Sequence, residues 1–186
     1  MDIREVAAFF DDAAATWDDH LVRDDKKISR ILELSDIKPG CRVLDVACGT
    51  GVLFPYYLHR GAAQITGADI SARMIERAKA KFLDPRIALI ECDIICARLP
   101  QSFDRCVVYN ALPHFVDPSV LISKLCSFLA PNGRLTFAHS MSREHINRHH
   151  SGAAAHISRR LMPSTELSRL MPSHCGSPAK NSRMGW

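Results

Sequence analysis

The stretch Arg42-Val43-Leu44-Asp45-Val46-Ala47-Cys48-Gly49-Thr50-Gly51 decides the fold. Its first half is a short β-branched, apolar run, the pattern of a buried strand, and its second half breaks into glycines, the pattern of a tight turn. Residues 52–59 follow as a helix in which Pro55 must lie in the first turn, where proline is tolerated. Strand, glycine turn and helix in that order open a unit in which the chain crosses over to a second, parallel strand.

The residues on either side repeat the alternation. Residues 63–68 read as a second strand, and Ser71 caps a helix through Lys81 with Met74, Ile75 and Ala78 on one face. Residues 87–92 and 103–109 read as a third and a fourth strand. A helix over 120–129, closed by Pro131-Asn132-Gly133, leads to a fifth strand at 134–138. Upstream, Val6, Phe9, Phe10, Ala13 and Trp17 stand at helical spacing, as do Ile28, Ile31, Leu32 and Leu34, before Pro39-Gly40 ends the region. Strands and helices alternating in this way predict right-handed crossovers and a doubly wound, mostly parallel α/β sheet covered on both faces.

With 186 residues, 47% of them apolar, the chain can bury the core of one domain. Its longest apolar runs fall well short of the roughly 20 residues that span a bilayer. Met1-Asp2-Ile3-Arg4-Glu5 is not a basic leader followed by an apolar stretch. A cytoplasmic protein without a membrane partner is the expectation. The seven cysteines lack the paired spacing of a disulfide scaffold or zinc ribbon, which suggests reduced thiols. The net charge of +4 is uneven: residues 139–186 hold seven Lys/Arg against two Glu, leaving −1 for residues 1–138. That basic segment has no aromatic residue before Trp186, which argues against a specific nucleic-acid role.

In a doubly wound sheet the ligand lies outside the carboxyl ends of the strands, and the loop after the first strand does most of the binding. Gly49 and Gly51 let the backbone turn sharply and approach a ligand, and the following helix offers N–H groups suited to a carboxylate. A dinucleotide site needs a third glycine where this chain has Phe54. Asp45, just before the glycines, would repel a pyrophosphate but suits an amino group and a sulfonium, the methionine end of S-adenosylmethionine. Asp69 ends the second strand, where an acid accepts bonds from ribose hydroxyls, and Asp93 follows the third, within reach of an adenine amino group. Any one of these acids alone reads equally as a helix cap or loop residue; three at successive strand ends point to one site.

Four segments together resemble the motif series of class I S-adenosylmethionine-dependent methyltransferases of the ubiquinone-biosynthesis-like group. They are residues 43–51, Gly67-Ala68-Asp69-Ile70-Ser71-Ala72-Arg73-Met74, Glu91-Cys92-Asp93 and Leu99-Pro100-Gln101-Ser102-Phe103-Asp104. Phe10-Asp11 and Trp17-Asp18 resemble that group's lid, which folds over the cofactor. The resemblance implies a Rossmann-like sheet of order 3-2-1-4-5 and a cofactor set of Asp45, Ala47, Cys48, Gly49, Gly51, Asp69, Ile70, Met74, Asp93, Ile94 and Asn110. The activity it implies is methyl transfer from S-adenosylmethionine to a small-molecule acceptor by in-line displacement. A cofactor-binding protein with impaired catalysis is the alternative, and a NAD-dependent oxidoreductase, disfavoured by Phe54, is a second.

Methyl transfer needs positioning, desolvation and sometimes a general base. His114, in Tyr109-Asn110-Ala111-Leu112-Pro113-His114, is the first candidate base or orienting residue, with Tyr109 and His139 as further catalytic candidates. A histidine there could equally only pack or cap. His145 and His149 stand four apart, as paired metal ligands on a helix do, but no Glu follows His145 and no third ligand is evident, so no metal is assigned. The cysteines read mainly as small core residues.

The expected organisation is a lid at 1–34, a cofactor-binding core at 35–138, an acceptor-side helical segment at 139–170 and a disordered tail at 171–186. The family's last two, antiparallel strands have no counterpart in the Ser/Pro/Gly-rich end, so the chain reads as a C-terminally shortened member. The fifth strand would then be an open edge with an uncovered apolar face, prone to self-association.

Overall fold

The computed structural model describes residues 1–149 and 155–172. β1 (Arg42–Val46) is the middle strand of a five-stranded parallel sheet ordered β3-β2-β1-β4-β5, as the family resemblance implied. It pairs on one side with β2 (Gln64–Asp69) and on the other with β4 (Phe103–Tyr109). β3 (Ile87–Glu91) and β5 (Leu129–Ala138) complete the sheet. The chain reverses its direction of winding between β1 and β4, which opens a crevice at their carboxyl ends.

Period-two alternation divides the sheet residues between two cores. Leu44, Val46, Cys106 and Val108 pack with Leu121, Ile122 and Leu125 of α5 (Pro118–Phe128). Val43, Ile65 and Val107 pack with side chains of α2 (Asp25–Leu34), α3 (Phe54–His59) and α4 (Ala72–Lys81). Asp45 falls on the Val43 side, and so behind the glycine loop.

Short polar side chains set where the helices begin. Asp2 accepts from Arg4 N at the start of α1 (Ile3–Ala13), Asp24 from Lys27 N, Ser71 from Met74 N, and Asp117 from Ser119 N and Val120 N. Each such cap contributes about 1 kcal/mol. The Asp117 cap, with Pro118 in the first turn, starts α5 two residues before the expected position. β5 likewise begins early, at Leu129 opposite Phe103. Pro131-Asn132-Gly133 bulges out of the ladder between Phe103 and Arg105, with Asn132 at φ +63°.

Among the described residues β5 is the last strand and forms an outer edge. Its apolar face is not bare, contrary to the sequence expectation. Leu161, Leu167 and Met171, from the segment that holds α7 (Ser164–Arg169), pack with Phe137 against the α5-side core. Cys41, Cys48, Cys92, Cys96 and Cys106 are free thiols, whereas Cys126 is disulfide-bonded, so the expectation of reduced thiols does not hold throughout. No described helix is long and apolar enough to cross a membrane. Most of the expected tail, residues 173–186, lies outside the described residues.

Candidate active site

A cleft opens at the carboxyl ends of β1, β2, β3 and β4. Ala47, Cys48 and Gly49 line it from the loop after β1, Ala68, Asp69 and Ile70 from β2, and Cys92, Asp93 and Ile94 from the end of β3. Tyr109, Asn110, Ala111, His114 and Phe115 follow from β4, and Met74 from α4. Nine of the expected cofactor residues are thus brought together. Two are not: Asp45 and Gly51 do not line the cleft.

The reason differs for each. Asp45 is only 2% exposed, placed by the alternation of β1 beside the buried Tyr57. Burial and then the charge of Asp69 push its carboxyl well above the usual range, with Tyr57 opposing. Gly51, at φ +86°, is required by packing: a Cβ there would lie 2.6 Å from the Phe54 ring and 2.7 Å from the Phe82 ring. Phe54 therefore fills the helix–sheet contact that a third glycine would occupy in a dinucleotide site. Gly67 makes room for it, since a Cβ at Gly67 would stand 2.6 Å from Phe54.

The raised pKa of Asp45 gives a prediction for stability. Its folded form holds a proton that the unfolded chain releases near the ordinary value of 3.8, so stability falls as pH rises from that value toward the folded one. Asp45→Asn, isosteric with the protonated acid, should remove this slope and gain about 1–3 kcal/mol at neutral pH. Thermal midpoints of the two proteins between acidic and neutral pH should diverge; parallel curves would rule the assignment out.

Asp69 organises the loop. Its Oδ2 accepts from Gly49 N at 2.8 Å and its Oδ1 from Ser71 N at 2.9 Å. Burial raises its pKa despite these bonds, which lower it. Asp93 accepts from Ile95 N at 2.9 Å, so it shapes its own turn as well as facing the cleft. Asn110 takes a left-handed conformation, φ +57°, and its Oδ1 accepts from Ser140 N at 2.7 Å, tying the ends of β4 and β5. Ala47 is also left-handed, at φ +54°. Two non-glycine residues in this costly region, both on the cleft wall, mark where the chain holds backbone strain.

His114 ends a 3-10 turn over Leu112–His114, and its Nδ1 stands 3.0 Å from the Ile157 carbonyl and 3.3 Å from Ser158 Oγ. A carbonyl only accepts, so Nδ1 carries the proton and Nε2 is the basic nitrogen of the neutral ring. Tyr109 shares the wall, but burial raises its pKa, favouring the protonated phenol. His139, the third catalytic candidate, is half-buried after β5 and is not on the cleft wall.

The N-terminal segment lines the cleft with Ile3, Val6, Phe10, Trp17 and Leu21, of which the sequence pointed to Phe10 and Trp17 through the lid resemblance and to the other three not at all. Its two aromatic-Asp pairs divide the work, the ring facing the cleft and the acid gripping the core. Asp11 accepts from Ser71 Oγ at 2.5 Å and from Arg73 N at 3.1 Å. Asp18 accepts from Thr50 Oγ1 at 2.5 Å and from Lys81 Nζ at 2.8 Å. Burial disfavours the charged form of Asp18, but the Lys81 and Thr50 bonds with the Lys81 and Arg77 charges outweigh it, so this latch stays ionised into the acid range. Phe10 stands edge-on to Trp17 at 5.7 Å and to His114 at 5.0 Å between ring centres.

Among the described residues no group of three or more His, Cys, Asp or Glu could hold a metal ion. His145 is exposed on α6 (Arg143–His149), and the side chain of His149 lies outside the described residues.

Fold and cleft together are similar to those of class I S-adenosylmethionine-dependent methyltransferases. The methyltransferase domain family matches residues 43–133. An uncharacterized methyltransferase of Mycobacterium tuberculosis is 37% identical over 94 residues, 50% of this chain and 47% of the relative. The ubiquinone biosynthesis O-methyltransferase of Neisseria meningitidis is 28% identical over 158 residues, 74% of this chain and 62% of the relative. The chain thus spans about half to three-fifths of the length of these curated relatives. Among solved structures, an S-adenosylmethionine-dependent methyltransferase from Mesorhizobium loti is similar with TM-score 0.54 and 28% identity, over 58% of this chain and 50% of that one. A chain of the complex containing the Haloferax volcanii Trm112 methyltransferase activator shares the fold with TM-score 0.75 and 21% identity, over 87% of this chain and 73% of that one.

Proposed function

We propose that this chain binds S-adenosylmethionine in the cleft and transfers its methyl group to a small-molecule acceptor. The observation that carries the reading is electrostatic. Asp69 and Asp93 line the cleft, while no described Lys or Arg lines it. Such a site repels a pyrophosphate and attracts a ligand bearing a sulfonium and an ammonium.

Gly49 supports the fit, because a Cβ on it would meet only Trp17 Nε1, at 3.9 Å, leaving the loop open toward the cleft. Asp69 would accept from the ribose hydroxyls and Asp93 from the adenine amino group, with Ile70, Met74 and Ile94 against the base. Ala47, Cys48, Gly49 and Asn110 would border the amino-acid end. When bound, the cofactor supplies an activated methyl carbon whose bond to sulfur breaks as the acceptor bond forms. The lid residues Ile3, Val6, Phe10 and Leu21, with Phe115, exclude water and offer an apolar wall to the acceptor. His114 Nε2 takes the proton that the acceptor releases, and the Ile157 carbonyl stabilises the resulting imidazolium through Nδ1–H. The open edge of β5 supports pairing with a second copy, and the domain division at 34 and 138 follows the lid and the sheet.

Incubation with S-adenosylmethionine and a panel of phenols and amines should yield S-adenosylhomocysteine with at least one acceptor. His114→Asn keeps a donor for the Ile157 carbonyl but has no basic nitrogen. It should lower turnover about 10²–10⁴-fold while S-adenosylhomocysteine still binds. Unchanged turnover would remove His114 from the mechanism.

A further inference from the structure

A cleft without a lining cation must recognise the cofactor's carboxylate through neutral donors, and most of its own are already engaged. Cys48 N donates to Ala68 O, Gly49 N to Asp69 Oδ2 and Gly51 N to Cys48 O. Thr50, Val52 and Leu53 supply further amides of that loop. α3 begins only at Phe54, and its N-cap is Leu53, with no side-chain cap bond. Of the side chains on the wall, Asn110 Nδ2 donates to Ser140 Oγ and His114 Nδ1 to the Ile157 carbonyl.

Trp17 is different. Its indole N–H makes no hydrogen bond among the described residues, and it lies against Gly49, 3.9 Å from where a Cβ would stand. The ring is held there from both sides, by the edge-on contact with Phe10 and by the Asp18 latch to Thr50 and Lys81 one residue on. A rigid neutral donor beside the β1 loop meets a carboxylate without the electrostatic conflict that a nearby lysine would create with the sulfonium. It also belongs to the lid, so recognition of that carboxylate and closure over the cofactor depend on one residue.

We infer that Trp17 is a cofactor-recognition residue, its Nε1–H donating to the carboxylate of the amino-acid end; this rests on the S-adenosylmethionine reading above. The test is Trp17→Phe, which keeps an aromatic ring and removes the donor. Isothermal titration compares S-adenosylhomocysteine with 5′-methylthioadenosine, which lacks the amino-acid end. The variant should bind S-adenosylhomocysteine about 10- to 100-fold more weakly, the range for a hydrogen bond to a charged group. It should bind 5′-methylthioadenosine within about twofold of the parent, which also shows that the variant is folded. Phe10→Leu, which loosens the same lid without removing a donor, should weaken both ligands by one common factor. Equal losses for both ligands in Trp17→Phe, or no loss for either, would overturn the assignment. If the parent chain bound neither ligand, the S-adenosylmethionine reading itself would fail and take this role with it.

Discussion

Replacing Gly51 with alanine is expected to lower stability by about 3 kcal/mol, or roughly 6–12 °C in thermal midpoint for a chain of this size. Two costs add. At φ +86° a side chain is strained by about 1–2 kcal/mol wherever it points. The added Cβ would also press on Phe54 Cδ2 at 2.6 Å, Phe54 Cε2 at 2.7 Å and Phe82 Cε2 at 2.7 Å. Phe54 cannot give way, because it is fully buried and its other side fills the space left by Gly67. Overpacking of this kind costs about 1–3 kcal/mol. A variant melting within about 2 °C of the parent would show that the Phe54–Phe82 contact is looser than the 5.2 Å ring separation implies.

The second large effect is on binding. Asp69→Asn should weaken S-adenosylhomocysteine at least about 100-fold, since two buried backbone donors each need an acceptor and the amide provides one. Gly49 N and Ser71 N bond opposite oxygens of the carboxylate, so whichever way the amide turns, an N–H faces an NH₂. The glycine loop or the cap of α4 is then released, and an acceptor for the ribose hydroxyls is lost with it. Calorimetric titration measures the change; affinity within about threefold of the parent would mean that Asp69 serves neither loop nor ligand.

Much of the architecture was legible because a parallel sheet buried on both faces leaves short apolar runs such as Val43–Val46, interrupted only by Asp45, and Cys106–Val108. The boundaries that shifted did so through local chemistry. Asp117-Pro118 is a helix start, though it reads as loop, and the bulge at residues 131–133 hides the first part of β5. Asp45 shows what the motif alone misses. It belongs to the loop's sequence pattern, yet strand alternation turns it to the Val43 side, away from the cleft.

Other parts of the site could not be read along the chain at all. Gly51 seemed to serve a ligand until the Phe54 and Phe82 rings appeared beside it, and Phe82 is 31 positions away. His114 and His139 each follow a strand, His114 being the first candidate, and the cleft lining together with the return of residues 155–158 over the Leu112–His114 turn distinguishes them. The lid contributes Ile3, Val6, Phe10, Trp17 and Leu21 to the wall, although its advance signal as a lid was the pairing of an aromatic residue with Asp at 10–11 and at 17–18.

The measurement closest to the central claim is a pair of calorimetric titrations of the unmodified chain, one with S-adenosylhomocysteine and one with NAD. An acid-lined cleft with Phe54 at the helix–sheet contact predicts saturable one-to-one binding of S-adenosylhomocysteine and no binding of NAD. Saturable binding of NAD, or none of S-adenosylhomocysteine, would contradict it.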